Sequence, residues 1–432
     1  MTDIVDELEW RGLIAASTDR DALRAAFAQG AVTYYFGFDP TAPSLHHGHL
    51  VQVLTMRRLQ QAGHRPLALV GGSTGLIGDP NPDRERTLND PEVVAGWVER
   101  IRRQIEPLLD FDGPDAARMV NNLDWTAPLS ALEFLRDIGQ HFRVNKMIAK
   151  EAVSARLQSE AGIGYAEFSY QILQAFDYLE LFRRYGCTLQ GGGSDQWGNI
   201  TGGVDLIRRV EGATVHALAT PLLTKADGTK YGKTTGAAVW LDPQMLSPYG
   251  FYQFWLNIED ADVPSHLRAL SFRSREEIED LEKRTAERPA ARAAQAALAE
   301  ELTTLVHGEQ ECAKVIAASR ALFGRGDLTL LDEPTLAAAV AELPRATVAG
   351  PELPPYAELL ASTGLVASRS EARRTIGSGG AYANNARIDS VDSAPIGAEL
   401  LHGQWLVLRR GRRTLAAVQA VAHGVSAGES GA

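Results

Sequence analysis

Short apolar runs alternate with amphipathic segments as far as about residue 245, and this alternation constrains the fold more than any other feature of the chain. Strand and helix laid down in turn is the pattern of a parallel α/β sheet covered by helices. "AVTYYFGF" reads as a first strand. Ser44 is then placed to cap a helix whose Leu50, Val53 and Leu54 share one buried face and which ends near Gly63. "RPLALVGG" reads as the next strand, with Pro66 tolerated at its start. "CTLQGGGSDQWGN" reads as a later strand entering a glycine-rich turn, and "HALATPLLTKADGTKYGKT" as a strand followed by a tight turn and a lysine-rich loop.

From about 247 to 325 the texture becomes helical, charged and rich in Ala and Leu, with Gly308 as a stop. Residues 326–353 carry scattered Pro and Gly and read as a linker with a helix-like middle. A small terminal domain follows, in which Ser368 and Glu371 make a capping box for a short basic helix. "AYANNARI" and "QWLVLRRGRRTLAAV" read as hairpins turning at Asn384-Asn385 and near Gly411. No internal repeat is evident. A chain of 432 residues exceeds one ordinary core, so two or three domains are expected.

A net charge of −11 argues against a protein that coats nucleic acid indiscriminately, but leaves room for RNA on a local basic face. Such a face is offered by Arg373 and Arg374 in "SEARRTIGSGG" and by Arg409, Arg410, Arg412 and Arg413 in "LVLRRGRRT". The acidic start is no signal peptide, and no run approaches the ~18 apolar residues of a membrane span. Cys187 and Cys312 supply neither a disulfide framework nor metal-ligand spacing. A cytoplasmic protein with no membrane partner is the expectation.

"SLHHGHL" packs three histidines into residues 46–49. Three readings are open: a metal site, a solvated or packed histidine group, and a phosphate cradle. Zinc would want about four ligands from separated segments, and no Cys lies near. A helix start after a strand offers unpaired backbone N–H groups and the positive end of a dipole, which suit phosphate. His46 and His49 would share a face of the first turn, with Gly48 admitting a flat group between them. "TKADGTKYGKT" adds Lys225, Lys230, Lys233 and Thr234 around a tight turn. Such a loop by itself is solvated surface; beside a phosphate-ready helix start it reads as a clamp on departing pyrophosphate.

Together the two segments resemble the signatures of the class I aminoacyl-tRNA synthetases, "HHGH" standing for HIGH and "KYGKT" for KMSKS. The likeness narrows to the bacterial tyrosyl-tRNA synthetases. "YFGFDPTAPSLHHGHL", "TMRRLQQAGHRPLALVGGSTGLIGDP", "FSYQILQAFDY" and "GGSDQWGNITGG" match in order and at similar spacing, over almost the whole chain. The resemblance implies a Rossmann-like catalytic domain over 1–246, with an insertion at about 113–190 carrying a homodimer interface. An α-helical anticodon-side domain at 247–325 and an S4-like α+β RNA-binding domain at 354–432 would follow.

It implies further that Tyr35 and Asp177 hold the substrate phenol, that Tyr170 and Gln174 with Asp79 further out hold its amino group, and that Gln196 lies near its carboxylate. ATP, entering with Mg²⁺, would meet Gly37, Asp39, Thr41, His46, His49, Gly193 and Asp195, with Thr41 and His46 at the γ-phosphate, His49 at the ribose region and Asp195 at the ribose hydroxyls. Lys230, Lys233 and Thr234 would grip pyrophosphate, and tRNA(Tyr) would be the second substrate. No structural metal is implied.

Two positions depart from the pattern. His47 replaces an aliphatic residue, and "GDPNPDRERTL" offers Asp83, Arg84 and Arg86 where lysines are usual, with one residue fewer. Arg86 keeps its place, and Arg84 stands in for a missing lysine. Two rivals remain at this stage, the tryptophan-specific relatives and a synthetase-like RNA-binding protein without activation chemistry. Tyr35 with Asp177 favours a phenol, and intact His49, Lys230, Lys233 and Thr234 favour catalysis.

Overall fold

The run Thr33–Phe38 forms a strand at the heart of a six-stranded sheet, with four of its six residues buried. The computed structural model describes residues 3–80, 88–160, 162–225, 228–229, 238–350, 353–411 and 414–421. The strands of this first sheet are β1 (Ala16–Ser17), β2 (Thr33–Phe38), β3 (Arg65–Val70), β4 (Arg118–Asn121), β5 (Cys187–Gly193) and β6 (His216–Thr220), in the order β1-β6-β5-β2-β3-β4. All pairs are parallel except β1 with β6. The continuous apolar runs seen in the sequence are explained by this: a parallel strand has helices on both faces. Pro66 pairs with Tyr34 one residue before β3 begins to pair with β4 at Leu67, so its missing N–H costs that ladder nothing.

The chain runs outward from β2 to β4 on one side and from β5 to β6 on the other. The order therefore reverses between β2 and β5, and a crevice opens beyond the carboxyl ends of these two strands. Three helices bound it: α1 (His47–Gln61), α2 (Tyr165–Tyr185) and α3 (Trp197–Glu211). Tyr35, Leu67, Phe176, Tyr178, Leu179 and Leu206 join one buried cluster that fixes α2 and α3 against the sheet.

Ser44 is not the cap of α1. His46 is, and Ser44 lies buried with its hydroxyl donating to Leu45 O at 2.7 Å and accepting from Asp242 N at 3.1 Å. The helix ends at Gln61, two residues before Gly63.

The chain divides into two compact units, 1–246 with 256–306 and 247–255 with 307–432. Within the first, Arg11 donates to Ser271 O at 2.7 Å and Arg58 donates to the same carbonyl, which ties the helical stretch after Leu256 to the sheet-bearing part. The second unit holds a five-stranded sheet of β7 (Arg345–Ala349), β8 (Ala381–Ala383), β9 (Ala386–Arg387), β10 (Trp405–Arg410) and β11 (Thr414–Val421), ordered β7-β11-β10-β8-β9. Within the segment expected as a linker, Glu333–Ala341 is helical and β7 pairs parallel with β11. The alternation that places Ala346 and Val348 on one half-buried face is too short to signal a strand by itself.

Asn384 and Asn385 both take left-handed φ, 45° and 69°, as a two-residue hairpin turn requires. Ser368 caps α4 (Arg369–Gly377), but Glu371 completes only half the box, accepting from Ala367 N at 2.9 Å rather than from the cap residue. Leu359, Leu360, Ile376, Leu406 and Val418 form this unit's core. Among the described residues no helix is long and apolar enough to cross a membrane.

Candidate active site

A cavity of about 390 Å³ opens at the β2–β5 crevice, lined from both strands and from α1 and α2. The thirteen described residues expected to touch tyrosine or ATP all face it. Tyr35 and Gly37 come from β2, Asp39 and Thr41 from the loop after it, and His46 and His49 from the start of α1. Asp79 follows β3; Tyr170, Gln174 and Asp177 come from α2; Gly193, Asp195 and Gln196 come from the end of β5 and the turn after it. Arg86, Lys230, Lys233 and Thr234 lie outside the described residues, as do Asp83 and Arg84.

At the deep end, Asp177 is 1% exposed. Its Oδ1 accepts from Trp125 Nε1 at 2.8 Å and its Oδ2 from Asn122 Nδ2 at 3.0 Å. Burial pushes its carboxyl up to about 7, against the pull of those two donors. The Tyr35 hydroxyl is buried in the same recess and finds no hydrogen-bond partner among the described residues. Burial, and then the nearby Asp177 charge, hold that phenol well above its ordinary value, so it stays a neutral donor. A donor and an acceptor thus face one small space.

Further out, Tyr170 Oη donates to Asp39 Oδ2 at 2.6 Å, and Thr74 Oγ1 donates to Asp39 Oδ1 at 2.7 Å. Asn122 also reaches Thr74 Oγ1 at 2.9 Å, so one buried amide links the two aspartates. Asp79 accepts from Gln196 Nε2 at 2.8 Å and from Asn199 Nδ2 at 3.1 Å. Two glycines are required by close packing: a Cβ on Gly191 in β5 would stand 2.0 Å from the Phe36 ring, and one on Gly71, just past β3, 2.1 Å from Asp39 Oδ1.

Hydrogen bonding fixes the tautomers of the histidine cluster. Gly48 N donates to His46 Nδ1 at 3.1 Å, and His46 N donates to His49 Nδ1 at 3.2 Å. Both Nδ1 atoms are therefore acceptors. Burial lowers the pKa of both rings, that of His49 most, so each imidazole is neutral at pH 7 and carries its proton on Nε2. Two neutral N–H donors at a helix start suit phosphate oxygens and do not suit a metal, which needs a bare nitrogen lone pair. No group of three or more metal-ligating side chains occurs among the described residues. His47 is buried on the far side of the turn, its pKa lowered to about 3 by burial and by His46.

Leu45–His47 also pairs with Val239–Leu241: His47 N donates to Val239 O and Leu241 N to Leu45 O, each at 2.9 Å, around a bridge from His46 to Trp240. The segment that follows the lysine loop is thereby fastened to the histidine segment.

Sequence reasoning missed Asn122, Trp125 and Thr74, which hold Asp177 and Asp39. "NNLDW" at 121–125 follows a parallel strand, where such folds place ligand-side residues, and that position was the available signal. In the second unit, Arg373 and Arg374 are exposed on α4, while Arg409 and Arg410 end β10. Arg410 pairs with Glu371 at 2.8 Å, Arg373 pairs with Asp392, and Arg409 lies 4.1 Å from the Tyr382 ring centroid. Arg412 and Arg413 lie outside the described residues.

Residues 28–324 match the family model for tRNA synthetases class I (W and Y), and residues 335–418 match that of the tyrosine–tRNA ligase SYY-like C-terminal domain. The chain is 69% identical to a tyrosine–tRNA ligase of Streptomyces coelicolor, over 97% of this chain and 99% of the relative. It is 62% identical to one from Acidothermus cellulolyticus with the same coverage of both chains. Among solved structures, a C-terminally truncated Aspergillus nidulans mitochondrial tyrosyl-tRNA synthetase superposes with a TM-score of 0.68 at 31% identity, covering 75% of this chain and 95% of the other.

Proposed function

The chain belongs to the class I tRNA synthetases of the tryptophan and tyrosine branch, and on that premise we propose that its cavity seats tyrosine with the phenol between Tyr35 and Asp177. It activates L-tyrosine with ATP to tyrosyl-AMP and pyrophosphate, then transfers the tyrosine to the terminal adenosine of tRNA(Tyr).

The observation that carries the seating is the unpartnered Tyr35 hydroxyl beside the Asp177 carboxylate. A phenol both donates and accepts, so it satisfies both groups at once. Phenylalanine would satisfy neither. An indole N–H could meet Asp177 but has no lone pair for Tyr35, so tryptophan would leave a buried donor unpaired, at a cost of about 1–3 kcal/mol. Tyr170, Gln174 and Asp79 take the α-ammonium in this reading, and Gln196 lies by the carboxylate.

ATP then lies across the start of α1. The Nε2–H of His46 donates to its phosphates with Thr41, His49 lies by the ribose region, Asp195 takes the ribose hydroxyls, and Gly37, Asp39 and Gly193 line the nucleotide. Mg²⁺ enters on the triphosphate as part of that substrate. The tyrosine carboxylate attacks the α-phosphorus in line; the α-phosphorus–oxygen bond to pyrophosphate breaks. The protein supplies no covalent nucleophile, so catalysis rests on positioning and on donors aimed where charge builds. Arg86, Lys230, Lys233 and Thr234 complete the pyrophosphate grip.

The second-unit arginines Arg373, Arg374, Arg409, Arg410, Arg412 and Arg413 are assigned to tRNA. A homodimer through 113–190 is supported by apolar side chains left in water there, with Leu132 80% and Tyr165 73% exposed. A cytoplasmic location accords with free cysteines at 187 and 312.

Pyrophosphate exchange with tyrosine, tryptophan and phenylalanine in turn tests the seating. Exchange is expected with tyrosine alone; comparable exchange with either other amino acid overturns it.

A further inference from the structure

Lys150 belongs to no expected site and does not line the β2–β5 cavity; its half-buried side chain lines a smaller one with Gly198 and Gly202 and reaches the amino-acid end through Asn199. It lies along the face of α3 that Gly198 and Gly202 leave open. A Cβ on Gly198 would stand 3.6 Å from Lys150 Cδ and 3.8 Å from Cγ, and one on Gly202 3.8 Å from Nζ. The ammonium so delivered donates to Asn199 Oδ1 at 3.3 Å. Asn199 turns its Nδ2 to Asp79 Oδ1 at 3.1 Å and to Gln196 Oε1 at 3.2 Å, and Gln196 Nε2 donates to Asp79 Oδ2 at 2.8 Å.

An amide's two ends are nearly equal in shape and opposite in hydrogen bonding. An ammonium has three donors and no acceptor, so it can face only the oxygen end. We propose that Lys150 is a positioning residue for tyrosine: by holding the oxygen of Asn199 it fixes the polarity of the whole Asn199–Gln196–Asp79 chain. With that oxygen engaged, Asn199 must present N–H to Asp79 and Gln196. Gln196 must in turn give its own N–H to Asp79. Without the cation, either amide can reverse and set an oxygen against the carboxylate. Asp79 would then shift from the place where it meets the α-ammonium. The inference rests on the assignment of Asp79 and Gln196 to tyrosine.

Lys150→Met keeps the methylene contacts with Gly198 and removes the donor. It is expected to raise the tyrosine KM in pyrophosphate exchange roughly tenfold, with the ATP KM and the thermal midpoint near those of the parent. Lys150→Arg, still donor-only, is expected to recover most of the loss. Asn199→Asp keeps the bond to Lys150 but turns an oxygen to Asp79, and should raise the same KM even if Lys150→Met fails to fold. An unchanged tyrosine KM in Lys150→Met or Asn199→Asp overturns the inference, as does a loss shared equally by both substrates and by stability. Asp79→Asn, run in parallel, separates the layers. If it raises the tyrosine KM while Lys150→Met does not, only the inference falls; if Asp79→Asn leaves it unchanged, the assignment beneath it falls too.

Discussion

Asp177→Asn separates what that carboxylate does for tyrosine from what it costs the fold. Both carboxylate oxygens receive a buried N–H, from Trp125 at 2.8 Å and from Asn122 at 3.0 Å. An asparagine must set its NH₂ against one of these, leaving a buried donor unpaired at about 1–3 kcal/mol. Against that stands the cost of ionising a fully buried acid. With its carboxyl raised from 3.8 to about 7, keeping Asp177 charged at pH 8 costs the native state about 4 kcal/mol. The variant should therefore be as stable as the parent at pH 8, or more stable by up to ~3 kcal/mol.

The pH dependence has a definite sign. The folded carboxyl binds its proton more tightly than the unfolded one, so its favourable contribution is full below about pH 4 and lost as pH rises through about 7. The ionisation cost falls by about half, roughly 2 kcal/mol, between pH 8 and pH 5.5, so most of the variant's relative gain should be gone at the lower pH. Tyrosine binding moves the other way. Loss of a charged acceptor costs about 1.5–3 kcal/mol, or about 10- to 150-fold in Kd. Urea unfolding at the two pH values and fluorescence titration with tyrosine measure both effects. Tyrosine binding within twofold of the parent would refute the reasoning, as would a large, pH-independent loss of stability.

In the parent, tyrosine binding should weaken as pH falls below about 7, by up to tenfold per pH unit, because protonating Asp177 removes the charge that strengthens the phenol's hydrogen bond and turns one acceptor site into a donor; flat affinity from pH 5.5 to 8 would contradict this. His46→Asn retains a good helix cap but withdraws the Nε2–H, so stopped-flow activation should slow by about 10²- to 10³-fold with tyrosine Kd little changed. A weakened tyrosine Kd at normal activation rate would move His46 to the amino-acid subsite. Ending the chain after residue 343 removes the whole five-stranded sheet. tRNA charging should be lost while pyrophosphate exchange persists, and loss of both would make that sheet a support for the fold.

The parallel sheet was legible because its strands are buried on both faces and so spell unbroken apolar runs. The cavity residues were legible because the motifs bearing them sit at strand ends. Capping was less so. Ser44 is the better cap by residue type, but the pairing of Leu45–His47 with Val239–Leu241 delays the helix by two residues and hands the role to a histidine. Such a pairing partner lies nearly two hundred residues away and leaves no local mark. Asn122, Trp125, Asn199 and Lys150 were missed for a related reason. Each acts through another side chain, and residue type alone does not announce a supporting role.

The pairing of Leu45–His47 with Val239–Leu241 has a consequence for engineering. Val239–Leu241, downstream of the lysine segment, are stitched to the very residues that lead into α1, which gives any segment entering from upstream a fixed socket. Swapping in a relative's loop of different length should leave the imidazoles where they are, provided Val239 and Leu241 keep their backbone partners. A proline at Leu241 would remove the N–H that Leu45 O receives, and would loosen the start of α1 with one substitution.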